Sequence, residues 1–352
     1  MVAEMNLQFE RAGVEEGVLE DFESYARVVF TLLDKVRENA GIPESEVTLI
    51  LANDLTATVQ ERIRSFSDEN ESLSPERIGG IVAAKNLPQS PDYSSVAIVF
   101  DAAWWTVESD PRGFEKTHQL FLIAHELSHP MLQRARHCSG ALDGVILPSF
   151  TGGEVARSLT RVLADEYRAD VIADLIVRQF ASAKIEGEVR TAGAREIFGQ
   201  GHIESASAAV AQAYPLWPDI VQSFREWQID PSTMWSKIVG NMEQTLTAIV
   251  HAQAVADAAK AADEAAFGPT LLDEEPISSM PARRLYLDPI KILLEALRNQ
   301  PVLPPFHETK VLDAQLVKTG ESAFIETWAN LGLTIEEREN RQWALWVSAP
   351  KR

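Results

Sequence analysis

The chain has 352 residues, a single cysteine and a formal net charge of −20, from 52 acidic and 32 basic side chains. One cysteine cannot form an internal disulfide, which argues against a small secreted scaffold. An acidic surface argues against nucleic-acid binding, because phosphate contacts need basic side chains. No apolar run approaches the roughly 18 residues of a membrane span, and the first ten residues lack the basic-then-apolar order of a signal peptide. We therefore expect a cytoplasmic globular protein that binds neither nucleic acid nor membrane.

The negative charge is concentrated near the N-terminus, where residues 1–76 carry 17 acidic and six basic side chains. Apolar residues recur at helical spacing over residues 14–39, with acidic residues between them, so this segment is predicted to be an amphipathic helix. A solvated outer face is the ordinary interpretation of such charges. A surface that attracts a basic partner is the alternative.

A small sheet and its connecting helices are predicted for the next part of the chain. Runs rich in Val, Ile and Ala predict strands over residues 47–52, 78–84 and 95–101. A helix is predicted over residues 55–66, with Asp54 as its N-cap. Two longer helices follow, separated by a glycine-containing loop at 139–153, and they are predicted over residues 114–136 and 154–180.

The remainder of the chain is predicted to be helical throughout. The predicted helices lie near residues 203–213, 218–227, 232–266, 288–299, 307–319 and 321–331. The expected fold class is therefore α+β, in three parts. These are an acidic helical segment (residues 1–46), a core with a small twisted sheet and helices (47–183), and an all-helical C-terminal portion (184–352).

The segment that carries chemistry is His-Glu-x-x-His at residues 125–129, within a strongly apolar predicted helix. Residues four apart lie one above the other on a helix, so His125 and His129 can reach one ion. Zinc accepts imidazole nitrogens at roughly 2.0–2.1 Å. Glu126, next to the first ligand, can then act as a general base toward a metal-activated water.

The following long helix offers a third ligand. Glu166 and Asp170 are again four residues apart, so both carboxylates face the same way. Glu166 could bind the zinc ion, while Asp170 could accept a hydrogen bond from the far nitrogen of a ligating histidine. A buried pair of acids with no cation is costly, so this pair is expected to have a metal or basic partners.

This combination resembles the gluzincin branch of zinc metallopeptidases. The spacing of Glu166, Ala169 and Asp170 is similar to that of HtpX-type peptidases, and the strand–helix order is similar to the ImmA/IrrE group of bacterial cytoplasmic peptidases. The resemblance covers residues 47–183. It implies a zincin-like core in which the active-site helix packs under the sheet. It also implies that strand 95–101 pairs with an extended substrate through Val96, Ile98 and Phe100.

Two residues depart from the pattern of these families. Ser128 stands where they often have glycine, and Pro130 directly follows the second histidine. Proline has no backbone donor and disfavours helical geometry in its surroundings. A kink just past His129 is therefore expected.

Several other side chains are candidates for a secondary role. Tyr167 could donate to a developing oxyanion, but a neighbour of a ligand points elsewhere on the helix, so packing is favoured. His202, His251 and His307 lie in the helical portion, and the sequence does not choose among them. His118 is expected to be an exposed helix histidine, and Cys138 an inert thiol.

The leading hypothesis is a cytoplasmic zinc-dependent endopeptidase that hydrolyses peptide bonds of a protein substrate. Glu126 is its catalytic base, His125, His129 and Glu166 are its zinc ligands, and Asp170 orients a ligand. The alternative is a zinc-binding pseudo-peptidase that serves as a regulatory or protein-interaction module. A helical scaffold without metal is the third possibility. The substrate, the oligomeric state and the activating signal have no signature in the sequence.

Overall fold

The computed structural model describes residues 7–66, 76–77, 80–81, 83–106, 114–142, 152–183, 194–262, 269–337 and 343–350. These residues form a mixed α+β structure, in agreement with the expected class. The strands are β1 Leu7–Ala12, β2 Glu46–Ala52, β3 Glu76–Arg77, β4 Gly80–Ile81, β5 Ala84–Pro88, β6 Ser95–Asp101, β7 Leu333–Glu337 and β8 Trp343–Val347. The α-helices are α1 Glu16–Ala40, α2 Leu55–Phe66, α3 Ala102–Trp105, α4 Phe114–Cys138, α5 Gly152–Ala183, α6 Ala194–Arg225, α7 Pro231–Ala262, α8 Asp288–Arg298 and α9 Thr309–Asn330. None of these described helices has the length and apolar composition needed to cross a bilayer.

The four-stranded sheet has the order β1-β2-β6-β5. β1, β2 and β6 are parallel to one another, and β5 is antiparallel to β6. The inner strands β2 and β6 read as nearly continuous apolar runs, which is typical of strands covered on both faces. The sheet is therefore a mixed one, with its most apolar strands at the centre.

Helices cover the two faces of this sheet. On one face, α2 places Val59 against a buried cluster that includes Leu87 and Val99. On the other face, Phe22 of α1 packs against Phe100 of β6, with ring centroids 5.3 Å apart. α4 contacts α1, β5 and β6. The helix that carries the His-Glu-x-x-His segment is thus fixed directly against the sheet.

Most predicted elements around the sheet are confirmed. The strands at 47–52 and 95–101 match β2 and β6, and the helix at 55–66 matches α2. Asp54 caps α2, because its Oδ1 accepts a hydrogen bond from the backbone N–H of Ala57 at 2.8 Å. Residues 143–151, most of the predicted loop between the two long helices, lie outside the described residues.

The sheet differs from the prediction in two places. Within the predicted strand at 78–84, Gly80–Ile81 forms β4 and residues 78, 79 and 82 lie outside the described residues, while the strand that pairs with β6 runs over Ala84–Pro88. β1 was not predicted at all, although it pairs with β2 along its whole length. Within the predicted N-terminal segment, Leu7–Ala12 therefore belongs to the main sheet, and α1 follows it. Both strands depend on cross-strand pairing more than on their own composition.

The chain divides into two compact units. The first, here called the sheet unit, comprises Met1–Ala141, Arg168–Ile197 and Leu303–Thr309. The second, the helical unit, comprises Leu142–Tyr167, Phe198–Val302 and Lys310–Arg352. The division differs from the predicted boundary near residue 183, because α5 contributes its first half to the helical unit and its second half to the sheet unit.

The helical unit departs from the prediction in two ways. Helices predicted separately are continuous: α6 passes through Pro215 and Pro218, and α9 passes through Gly320. A side chain at Gly320 would collide with Thr160 of α5, so the glycine allows two helices of this unit to approach closely. The C-terminal portion is also not all-helical, because β7 and β8 form an antiparallel pair.

Candidate metal centre

The two histidines of the His-Glu-x-x-His segment lie on the buried side of α4. His125 is 8% exposed and His129 is 9% exposed. Their Nε2 atoms are 3.1 Å apart, and their rings meet edge to face with centroids 4.8 Å apart. α4 continues past Pro130 to Cys138, so the proline does not end the helix. The spacing of one helical turn therefore places Nε2 of His125 next to Nε2 of His129.

Asp170 of α5 determines which nitrogen of His125 carries a proton. Its Oδ1 is 2.7 Å from Nδ1 of His125, and the side chain is almost fully buried. An ionised carboxylate can only accept hydrogen bonds, so Nδ1 must be the donor. A neutral His125 then has its lone pair on Nε2, on the side that faces His129. This is the tautomer that a metal ligand requires.

Glu166 completes a group of three potential ligands. One ligand atom from each of His125, His129 and Glu166 lies within 4.8 Å of the other two. Among the residues that the structure describes, no other three His, Cys, Asp or Glu side chains meet this condition. Two nitrogens bound to one tetrahedral zinc ion would be roughly 3.3 Å apart, close to the observed 3.1 Å. The donor types and their spacing therefore fit zinc.

Glu126 is held by a residue that the sequence did not single out. The side-chain Nδ2 of Asn86, on β5, donates to Oε2 of Glu126 at 2.6 Å and approaches the backbone oxygen of Glu126 at 3.3 Å. Asn86 lies in a strand that was not predicted, and its neighbours carry no pattern that marks it. The contact between Asn86 and Glu126 arises because β5 pairs with β6 and α4 packs against β5. The sequence alone does not indicate either arrangement.

The residues expected to bind substrate are not placed for strand pairing. Val96, Ile98 and Phe100 are nearly fully buried. They belong to β6, an inner strand that already pairs with β2 on one side and β5 on the other. Its backbone donors and acceptors are therefore used within the sheet. In the described part of the sheet, the edge on this side is β5.

The structure also assigns the remaining candidates. The hydroxyl of Tyr167 donates to Asp257 at 3.0 Å, and Asp257 pairs with Arg298 through two contacts of 2.9 Å. Tyr167 thus has the packing role that was favoured. Of the three histidines in the helical portion, His251 has its Nε2 3.7 Å from Oε2 of Glu166, a ligand candidate.

Comparison with known proteins yields no matching family model, no matching curated protein and no matching solved structure. What the chain does must accordingly be inferred from the chemistry of its own residues. The residues that matter for that inference are the three ligand candidates, Glu126, and the two side chains that contact them, Asp170 and Asn86.

Proposed function

We propose that this protein is a zinc-dependent peptidase with a gluzincin-like site and a zincin-like core, resembling the ImmA/IrrE group. His125, His129 and Glu166 would hold the metal. The observation that carries the proposal is the convergence of these three side chains within 4.8 Å, next to a glutamate at the second position of the motif. A donor set of two imidazoles and one carboxylate is typical of catalytic zinc sites that keep a position open.

Each protein group has a definite task in this mechanism. Zinc, when bound, supplies Lewis-acid polarisation of the scissile carbonyl and lowers the pKa of water. Glu126 removes a proton from the attacking water and delivers it to the leaving amine. Asp170 holds the proton on Nδ1 of His125 and so keeps Nε2 available to the metal.

The substrate is proposed to be an extended stretch of protein chain. β5 lies beside Glu126, and in the described part of the chain only β6 pairs with it in the main sheet. Its outer side can therefore accept a further strand, with backbone hydrogen bonds giving affinity. This replaces β6 with β5 as the strand that faces the substrate.

The proposal is tested by comparing the wild-type chain with Glu126→Gln on a mixture of cellular proteins, with new termini identified by mass spectrometry. Cleavage is expected with the wild type and is expected to fall by at least about 100-fold in the variant. Zinc content should be the same in both, because Glu126 is not a ligand. Glu326→Gln, an exposed position on α9, is the matched control.

Two outcomes would count against the proposal in different ways. Cleavage that survives Glu126→Gln would show that another group acts as the base. Zinc binding without any cleavage by the wild type would favour the alternative, a zinc-binding module that regulates or recognises other proteins without hydrolysing them.

A further inference from the structure

The backbone carbonyl of Glu126 lacks the donor that an α-helix normally provides. In an α-helix the N–H of residue i+4 donates to the carbonyl of residue i. For Glu126 that residue is Pro130, which lies inside α4 and has no N–H. A carbonyl deprived in this way needs another partner if it is shielded from water.

Asn86 supplies that partner and binds the carboxylate of the same residue. Its Nδ2 is 3.3 Å from the backbone oxygen of Glu126 and 2.6 Å from Oε2. An amide nitrogen has two hydrogens, so one group can serve both acceptors. Asn86 is itself fixed by the pairing of β5 with β6, opposite Ile98. The contact therefore joins the glutamate to the sheet at two points.

The amide oxygen of Asn86, Oδ1, has no hydrogen-bond partner among the described residues. An ionised carboxylate accepts hydrogen bonds only, so the nitrogen must face Glu126 and Oδ1 must face away. Oδ1 is also buried. Buried acceptors without a partner are rare in folded proteins and call for an explanation. If Asn86 served only packing, an apolar side chain without the buried Oδ1 acceptor would be more stable at this position.

We propose that Asn86 is a positioning residue for Glu126, and that the carbonyl freed by Pro130 is its second point of attachment. The proline and the asparagine would then form one device that limits rotation of the Glu126 side chain. This inference rests on the proposed function for the role of Glu126 as the base. The contact itself does not depend on that function and can be measured separately.

The contact is tested by nuclear magnetic resonance on the full chain labelled with ¹⁵N-asparagine, without metal. The side-chain amide signal of Asn86 is assigned by its loss in Asn86→Asp. We expect both of its protons to exchange slowly with solvent in the wild type, and the protection of the proton bound to the carboxylate to fall at least about tenfold in Glu126→Ala. Unchanged chemical shift and exchange in Glu126→Ala would overturn the inference.

The consequence is tested on the zinc-loaded chain with β-casein as the probe substrate. Asn86→Leu removes both hydrogen bonds, and Asn86→Asp keeps the size but adds a second carboxylate. We expect kcat to fall by about 10- to 100-fold in both variants, because a misplaced base loses alignment. KM is expected to stay within about twofold, and zinc affinity to be unchanged, because Asn86 is not a ligand.

The control for these variants is Asn53→Leu. Asn53 also lies in the sheet unit, and its Nδ2 also donates to a backbone carbonyl, that of Gly13. Asn53→Leu removes the same kind of hydrogen bond, but the acceptor is the carbonyl of Gly13 and not a group of Glu126. We therefore expect kcat to stay unchanged. A higher KM with unchanged kcat in the Asn86 variants would overturn positioning and indicate substrate binding instead. If the wild type cleaves nothing, the proposed function fails, and the amide measurement still decides whether the contact exists.

Discussion

At the scale of single residues, the hydrogen bond between Asp170 and His125 is the feature that prepares a ligand. Without it, the imidazole could carry its proton on either nitrogen, and the tautomer protonated on Nε2 would present a proton to the metal. The bond is 2.7 Å long and buried, so it is not weakened by competition with water.

Asp170→Asn is therefore expected to lower zinc affinity by about 10- to 100-fold. The measurement is competition against a chromophoric zinc chelator at fixed pH. Asp174→Asn is the matched control, because Asp174 is a buried acid one turn further along α5 that pairs with Arg178 at 2.6 Å. Equal zinc affinity in Asp170→Asn and the wild type would contradict the assigned role.

His251 is the residue that links the helical unit's α7 to Glu166. The 3.7 Å separation between Nε2 of His251 and Oε2 of Glu166 is longer than a direct hydrogen bond, and the two groups form an ion pair when His251 is protonated. His251→Ala is expected to weaken zinc binding by about tenfold, acting through Glu166. Zinc affinity equal to that of the wild type in His251→Ala would contradict this role.

His118, at the start of α4, should make stability depend on pH. Its pKa is lowered from the ordinary 6.5 by burial, and its ring meets Trp104 edge to face at 5.3 Å. As pH falls below 6.5, the unfolded chain takes up a proton at this site before the folded chain does. The free energy of unfolding must therefore fall in that range.

The comparison for His118 is denaturant unfolding of the metal-free wild type and His118→Phe between about pH 7.5 and pH 5.5. The wild type is expected to lose more stability over this interval than the variant, because only the wild type has the titrating ring at this position. Parallel pH profiles for the two proteins would show that His118 contributes nothing to the slope.

At the scale of elements, a buried charge network connects three helices of the helical unit. Tyr167 of α5 and Arg298 of α8 both bind Asp257 of α7. Asp257 and Arg298 are nearly inaccessible to solvent, so neither charge can be left alone without a large penalty. Tyr167 is the neighbour of Glu166, and the network thereby holds the α5 turn that carries a proposed ligand.

Asp257→Ala is expected to reduce the free energy of unfolding by about 3 to 5 kcal/mol, because it leaves a buried guanidinium unpaired. Tyr167→Phe removes a single hydrogen bond and should cost about 1 kcal/mol. Both values come from denaturant unfolding followed by circular dichroism. A loss below about 1 kcal/mol in Asp257→Ala would mean that the pair is compensated by water or neighbours.

The elements that carry the motif were predictable because their apolar periodicity is strong over many turns. α4 and α5 begin and end within a few residues of the predicted helices, and His125, His129, Glu166 and Asp170 follow from spacing alone. β1, β5 and the β7–β8 pair were missed, because short strands are stabilised by their partners rather than by composition. Asn86 was missed for the same reason, since its importance comes from β5 lying beside α4.

At the scale of the whole molecule, the acidic composition bears on partners rather than on the metal site. Exposed acids of α1, such as Glu16 and Glu20, leave part of the sheet unit's surface negative. The single cysteine, Cys138, is consistent with a site built from imidazole and carboxylate rather than thiolate. Docking of a basic protein substrate on the acidic surface stays a prediction.

The central claim is that His125, His129 and Glu166 bind one zinc ion. The most direct measurement is the zinc content of the purified full chain, combined with calorimetric titration of the metal-free protein. We predict that the wild type binds one equivalent of zinc and that His129→Ala and Glu166→Ala bind none. Circular dichroism should show that both variants keep the fold. Less than about a tenth of an equivalent in the wild type, or undiminished binding in both variants, would contradict the account.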